Sequence, residues 1–375
     1  MNQDDFLVTY QIISDEAEAF ARAKMICLEQ TVEVSEELIE SDFIREQIIG
    51  QLIEFKIITS ECFHAVIRYT VDTTAFELTQ LLNVIFGNTS IKAQIKIINI
   101  QLPTVLLTHF SGPRFGIAGL RKIIQVAHQP LLCTALKPMG KSATELATLA
   151  YQFALGGVDI IKDDHGLTNQ AFCPYEERVK ACITAVAKAN DKTGKNCIYV
   201  PNITAPVTEI EKRVIYAKRQ GAGGLLIAPG LTGFDTMRAI AESELIDLPL
   251  ISHPALLGSM VISQTNGFAH SVLFATLQRL AGADATIYPN YGGRFGFSRE
   301  ECNAIATACG APLGNYPAIF PTPGGGMTLD KVPDMQQLYG EDVIFLIGGA
   351  LYAHSPDLVE NVRYFLNLVG RNLGE

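Results

Sequence analysis

The sequence predicts an α/β protein in which a small N-terminal α+β, ferredoxin-like domain over residues 1–112 precedes a (β/α)8 TIM barrel over residues 113–375. Three observations carry this prediction. The chain has 375 residues, of which 48% are hydrophobic and 18% charged, more than one ordinary domain needs and enough to bury a large core. Its first hundred or so residues mix extended and helical patterns irregularly. From Leu131 onward, short apolar runs recur about every 25 to 35 residues with helical segments between them, the rhythm of a barrel.

The N-terminal elements read, in order, as an extended FLVTYQIIS, a helical EAEAFARAKMICLEQT, an extended HAVIRYTVD, a helical TAFELTQLLNVIF and an extended AQIKIINIQLP. Strands and helices in that order suit a small antiparallel sheet with helices on one face. The turn-rich THFSGPRFG marks the boundary. Eight strand candidates follow: LLCTALK, VDIIKDD, NCIYVPNIT, GGLLIAP, PLISHPA, ATIYPN, AIFPTP and VIFLIGG. Helical stretches such as ATELATLAYQFALG, YEERVKACITAVAKAN, VTEIEKRVIYAKRQG and DTMRAIAESE separate them. A doubly wound sheet would have fewer strands and a G-x-G-x-x-G after the first, which is absent here.

Composition excludes several function classes. With 39 acidic and 29 basic residues the formal charge is -10, so nucleic acid is not expected as a partner. No apolar run approaches the roughly 20 residues of a membrane span, and MNQDDFLVTY does not read as a signal peptide. The eight cysteines are scattered without CxxC spacing, as expected of reduced core thiols in a cytoplasmic protein.

In a barrel, chemistry collects at the C-terminal strand ends. Lys137 closes the first run and Lys162-Asp163-Asp164-His165 the second. A lysine inside VDIIKDDH is costly to bury without a partner. It reads either as one half of a Lys-Asp ion pair or as a reactive lysine of lowered pKa, with Asp164 and His165 as ligands to a divalent metal. His253 ends the fifth run, where an imidazole could bond a substrate hydroxyl or relay a proton. Gly324, Gly325 and Gly326 follow the seventh run and Gly348 and Gly349 the eighth, positions where backbone N–H groups can hold a phosphate.

These segments, above all GGVDIIKDDH and TALKPMG, resemble the large-subunit family of ribulose-bisphosphate carboxylase, and more closely its non-carboxylating branch, the RuBisCO-like proteins. The resemblance runs from Glu29 to His354. It implies a homodimer with shared active sites, in which Glu29 and Asn83 of one subunit reach the barrel of the other. It further implies that Lys162 carries a carbamate which, with Asp164 and His165, holds Mg2+. Lys137 resembles the lysine that stabilises a developing enolate, His253 matches a family histidine, and the glycine clusters match the loops around one substrate phosphate.

Departures from the family pattern are equally specific. His165 stands in place of a glutamate, Met139 of a second lysine, Pro254 of a phosphate-binding arginine and Gly324 of a serine. Val34 and Ser35 fail to match a threonine-tryptophan pair. YPNYGGRFGF lacks the loop lysine, for which Arg294 is a candidate substitute. Carboxylation is therefore not expected, whereas enolisation of a sugar monophosphate is. The lysine-aspartate-histidine set suggests decarboxylation or transcarboxylation of a 3-oxo-isoapionate-4-phosphate-like substrate. A methylthioribulose-phosphate isomerase or a diketo-methylthiopentyl-phosphate enolase is the alternative, and a non-catalytic binding or stress-linked protein is the reading from another class.

Overall fold

A computed structural model describes residues 4–371. Its N-terminal sheet contains β1 (Asp5–Ile13), β2 (Gln51–Thr59), β3 (Cys62–Thr70) and β4 (Ile95–Gln101), antiparallel in the order β4-β1-β3-β2. Strict alternation in β1 sends Phe6, Val8, Tyr10 and Ile12 into the core. The helix Glu16–Glu29 begins where the Asp15 carboxylate accepts the Glu18 N–H, and it turns Ala19, Ala23, Ile26 and Cys27 inward. Tyr10 donates to the Ile85 carbonyl at 2.6 Å, which fastens the helix Leu78–Phe86 to the sheet and satisfies a buried hydroxyl.

Sequence reading found β1, β3 and β4 but not β2. The reason is physical. At the sheet edge, Ile53, Ile57 and Ile58 of β2 are exposed, so QLIEFKIIT has no clean two-residue alternation of buried and solvated positions.

Nine further strands follow: β5 (Leu131–Leu136), β6 (Ile160–Asp163), β7 (Ile198–Val200), β8 (Leu225–Ile227), β9 (Leu250–Ser252), β10 (Gly267–Phe268), β11 (Ala285–Pro289), β12 (Phe320–Gly324) and β13 (Ile344–Leu346). All except β10 coincide with the eight runs read from sequence. They form two parallel sheets, β13-β5-β6-β7 and β8-β9-β11-β12, arranged as the walls of a barrel. One seam is stitched by the Asn202–Leu226 bridge. At the other, β12 and β13 pack side by side with no ladder between them. Leu131, Cys133, Ile160, Val200, Leu226, Ile251, Ile287, Phe320 and Ile344 form an inner core, with Leu120 and Ile124 of the helix Gly116–Ile124 packed against it.

The two-residue β10 was also absent from the sequence reading, being too short to show a period. It pairs in parallel with β4 and so attaches the segment after β9 to the N-terminal sheet. Gly267 makes this possible: its φ is +86°, and a Cβ there would lie 2.0 Å from the Met260 carbonyl oxygen. Gly267→Ala is therefore expected to cost more than about 2 kcal/mol of stability through backbone clash and strain, seen as a lower denaturant midpoint in urea unfolding.

Candidate active site

The end of β6 is set by a buried ion pair. Asp163 and Arg178 both have fully buried side chains, and Arg178 Nε lies 3.2 and 3.1 Å from the two carboxylate oxygens. Tyr199 donates to the same carboxylate at 2.5 Å and the Asn202 N–H at 3.0 Å. Arg178 also donates to the Thr168 and Cys173 carbonyls, and the Asn202 amide to those of His165 and Leu167. The whole turn after β6 is thus pinned from beneath. The sequence pattern gives no role to Arg178, Tyr199 or Asn202; the only signal of the network is Asp163, the first acid of the KDDH run.

Alternation along the strand puts Lys162 and Asp164 on the opposite side from Asp163. Lys162 is 1% exposed, and its ammonium donates to the Asp163 carbonyl at 3.0 Å. Burial, aided by repulsion from Lys137, pushes its pKa below the usual lysine range. The Lys-Asp pair that sequence allowed for Lys162 is made instead by Lys137, whose Nζ lies 2.7 Å from Asp164 Oδ1. Partial burial opposes the charge on Asp164, but His165 and the Lys137 and Lys162 cations outweigh it and hold the carboxyl well below the usual range. Tyr352 steadies Lys137 by accepting its backbone N–H and donating to the Ala135 carbonyl, each at 3.1 Å.

His165 lies with Nδ1 3.5 Å from Asp164 Oδ1, a weaker contact than that of Lys137. Its ring stacks on His253 with centroids 4.4 Å apart and planes 15° apart. Burial and the nearby Lys162 cation keep His253 neutral, its pKa well below the usual range. The Ala255 N–H points at His253 Nδ1 at 3.2 Å, which leaves the proton on Nε2 as a donor. Lys137, Lys162, Asp164, His165 and His253 are therefore neighbours, as their strand-end positions implied.

Gly348 joins them through Lys137, whose Cε would be 3.7 Å from a Cβ there, whereas Gly325 and Gly326 lie against Phe295 and Arg294. The N–H groups of Gly325, Gly326, Gly348 and Gly349 donate to no backbone carbonyl among the described residues. Gly324 is different. It is buried in β12, its carbonyl accepts the Asn290 N–H, and a Cβ would press on Leu346 at 3.0 Å, so it serves packing. Glu29 and Asn83 sit in the N-terminal unit. Glu29 bonds Lys92 at 2.7 Å and Asn88 at 3.2 Å, and the Gln30 amide donates to the Asn83 carbonyl. Within one chain, neither bonds a residue of the barrel mouth.

Among the described residues, no group of three His, Cys, Asp or Glu side chains is placed to hold a metal ion. Asp164 and His165 alone fall short of the oxygen-rich shell that Mg2+ needs. A carbamate on Lys162 would supply the missing oxygens, and burial, which disfavours the charged form of this lysine, shifts it toward the amine that adds to CO2. On that condition the residues fit the ion. As a check on the anchor beneath, Arg178→Met leaves Asp163 buried and unpaired, and an expected loss of about 3–5 kcal/mol should appear in urea unfolding.

The family model for the ribulose bisphosphate carboxylase large chain, catalytic domain, matches residues 116–360. Over 364 residues the chain is 39% identical to a 5-methylthioribulose-1-phosphate isomerase of Rhodospirillum rubrum, covering 97% of this chain and 96% of that one. It is 33% identical to a 2,3-diketo-5-methylthiopentyl-1-phosphate enolase of Geobacillus thermodenitrificans, covering 78% and 71% respectively. The crystal structure of a RuBisCO-like protein from Rhodopseudomonas palustris is 37% identical and aligns with a TM-score of 0.89 over 99% of both chains. The chain belongs to the ribulose bisphosphate carboxylase large-chain family, in its RuBisCO-like branch.

Proposed function

We propose that this protein isomerises a methylthio-pentulose phosphate of the 5-methylthioribulose-1-phosphate type. The observation that carries this reading is a barrel mouth with two unlike ends. On the β12 and β13 side lie unbonded glycine N–H groups beside Lys137. On the β6 and β9 side lies an apolar rim. Met139 is 51% exposed and its Cε reaches within 2.6 Å of where a Gly166 Cβ would stand. Beyond the His165–His253 stack come Pro254 and Leu256, the latter 63% exposed at a φ of +69°. A monoester phosphate suits the first end and an uncharged thioether the second. A branched oxo acid would set its extra carboxylate against Met139, Pro254 and Leu256, which offer it no charge, so isomerisation is favoured over the decarboxylation suggested by sequence.

Isomerisation needs no co-reactant: a proton leaves the carbon beside the ketone, the electron pair moves to the carbonyl oxygen, and a proton returns to a neighbouring carbon. Asp164, His165 and a carbamylated Lys162 would hold Mg2+, which would supply Lewis-acid chemistry at the substrate's ketone end. Lys137 contributes fixed positive charge beside the oxygen on which negative charge grows. Neutral His253 presents Nε2–H to a substrate hydroxyl and holds that oxygen in place. Gly325, Gly326, Gly348 and Gly349 fix the phosphate, and the Met139–Pro254–Leu256 rim excludes water from the thioether end.

In D2O with Mg2+ and bicarbonate, 5-methylthioribulose 1-phosphate should take up deuterium beside its carbonyl and give an isomeric phosphate, both followed by NMR. Lys162→Ala should lower the rate by roughly 10³ or more. Wild-type protein that leaves this compound unchanged but releases CO2 from 3-oxo-isoapionate 4-phosphate would replace the isomerase reading with decarboxylation.

The exposed apolar edge of β2, and the bonding of Glu29 to Lys92 and Asn88 rather than to the barrel mouth, support a homodimer with shared sites. Inactive Glu29→Gln and Lys162→Ala proteins, mixed equally and allowed to exchange subunits, should then regain about one quarter of wild-type activity, since half the dimers carry one intact site. No recovery in a mixture shown to have exchanged would place both residues in one subunit's site.

A further inference from the structure

We infer that Arg294 is the cation of the phosphate subsite, brought there by the loop between β11 and the helix Arg299–Gly310. The inference rests on the proposed reading of a phosphorylated substrate and adds to it a residue on which phosphate affinity depends. Gly325 and Gly326 have φ values of +87° and +90°, a region costly for side chains. They are also covered. A Cβ on Gly325 would strike the Phe295 ring at 2.8 Å, and one on Gly326 would meet the Arg294 backbone N at 3.2 Å and Cγ at 3.4 Å. The Arg294 N–H donates to the Gly325 carbonyl at 3.2 Å. Loop and turn are therefore shaped to each other, and the stem of Arg294 lies on the turn whose amides are unbonded.

The guanidinium itself is exposed and stacks over Phe295 at 4.8 Å from the ring centroid. Among the described residues no carboxylate forms an ion pair with it. Lys331, the other cation here, is committed to the loop, donating to the Gly292 carbonyl at 2.6 Å. Arg294 thus remains free to make the paired N–H contacts that suit a phosphate dianion, beside a turn whose amides donate to no backbone carbonyl among the described residues.

The test is calorimetric titration of the full-length protein with inorganic phosphate, alongside steady-state kinetics with 5-methylthioribulose 1-phosphate. Arg294→Gln keeps the backbone bond to Gly325 but removes the charge. It should weaken phosphate binding about 10- to 100-fold and raise KM similarly while kcat stays within about threefold. Arg294→Lys should recover part of the affinity. Equal phosphate affinity in wild type and Arg294→Gln, or no phosphate binding by wild type at millimolar concentration, overturns the inference. Arg294-dependent phosphate binding without any isomerisation upholds the inference and removes the reaction assigned above. Isomerisation with a KM and phosphate affinity indifferent to Arg294 does the reverse.

Discussion

A carboxylate and a guanidinium sealed from water between β6 and its following helix set the terms for the rest of the site. A charge in that position is tolerable only when its bonding capacity is filled, and Asp163 fills it with Arg178, Tyr199 and the Asn202 N–H. These partners come from the helix after β6, from β7 and from the turn after β7. The pair therefore locks neighbouring β-α units in register. Strand alternation then does the rest, because with Asp163 held outward, Lys162 and Asp164 have only the barrel interior left. The chemistry at this strand end is the other face of a packing solution.

The barrel was legible because its strands are buried on both sides and read as apolar runs, each closed by the residue types that mark a strand end. All eight runs coincide with strands, and the polar residues after the first, second and fifth lie together. What escaped was of two kinds. β2 and β10 lack the burial contrast from which periodicity is read, one because it is an exposed edge and the other because two residues have no period. Asp163, Arg178 and Tyr199 escaped because a buried pair depends on residues distant in sequence, which single-chain pattern reading cannot join. The sequence also offered a carboxylate partner for Lys162 without saying which lysine would take it. The structure gives Asp164 to Lys137 and leaves Lys162 with the Asp163 carbonyl.

An acidic chain of net charge -10 nonetheless assembles a cationic mouth. Lys137 is balanced by Asp164, whereas Arg294 is unbalanced, so positive potential is concentrated toward the glycine turns rather than spread over the mouth. The opposite rim presents the uncharged side chains of Met139, Pro254 and Leu256. A substrate charged at one end and apolar at the other would be oriented by this gradient. Relatives named as an isomerase and an enolase, both of phosphates bearing a methylthio group, are consistent with a rim built that way.

The unladdered seam between β12 and β13 has a consequence for how such a family diversifies. The two glycine turns follow strands on either side of it, where no ladder joins the strands and Leu346 lies so close to Gly324 that a Cβ there would press on it at 3.0 Å. Ladder spacing is fixed at roughly 4.8 Å whatever the sequence. Side-chain spacing changes with every methyl group gained or lost. A barrel with such a joint beneath its two glycine turns can change their spacing by point substitution while the laddered walls keep the other strand ends where they are.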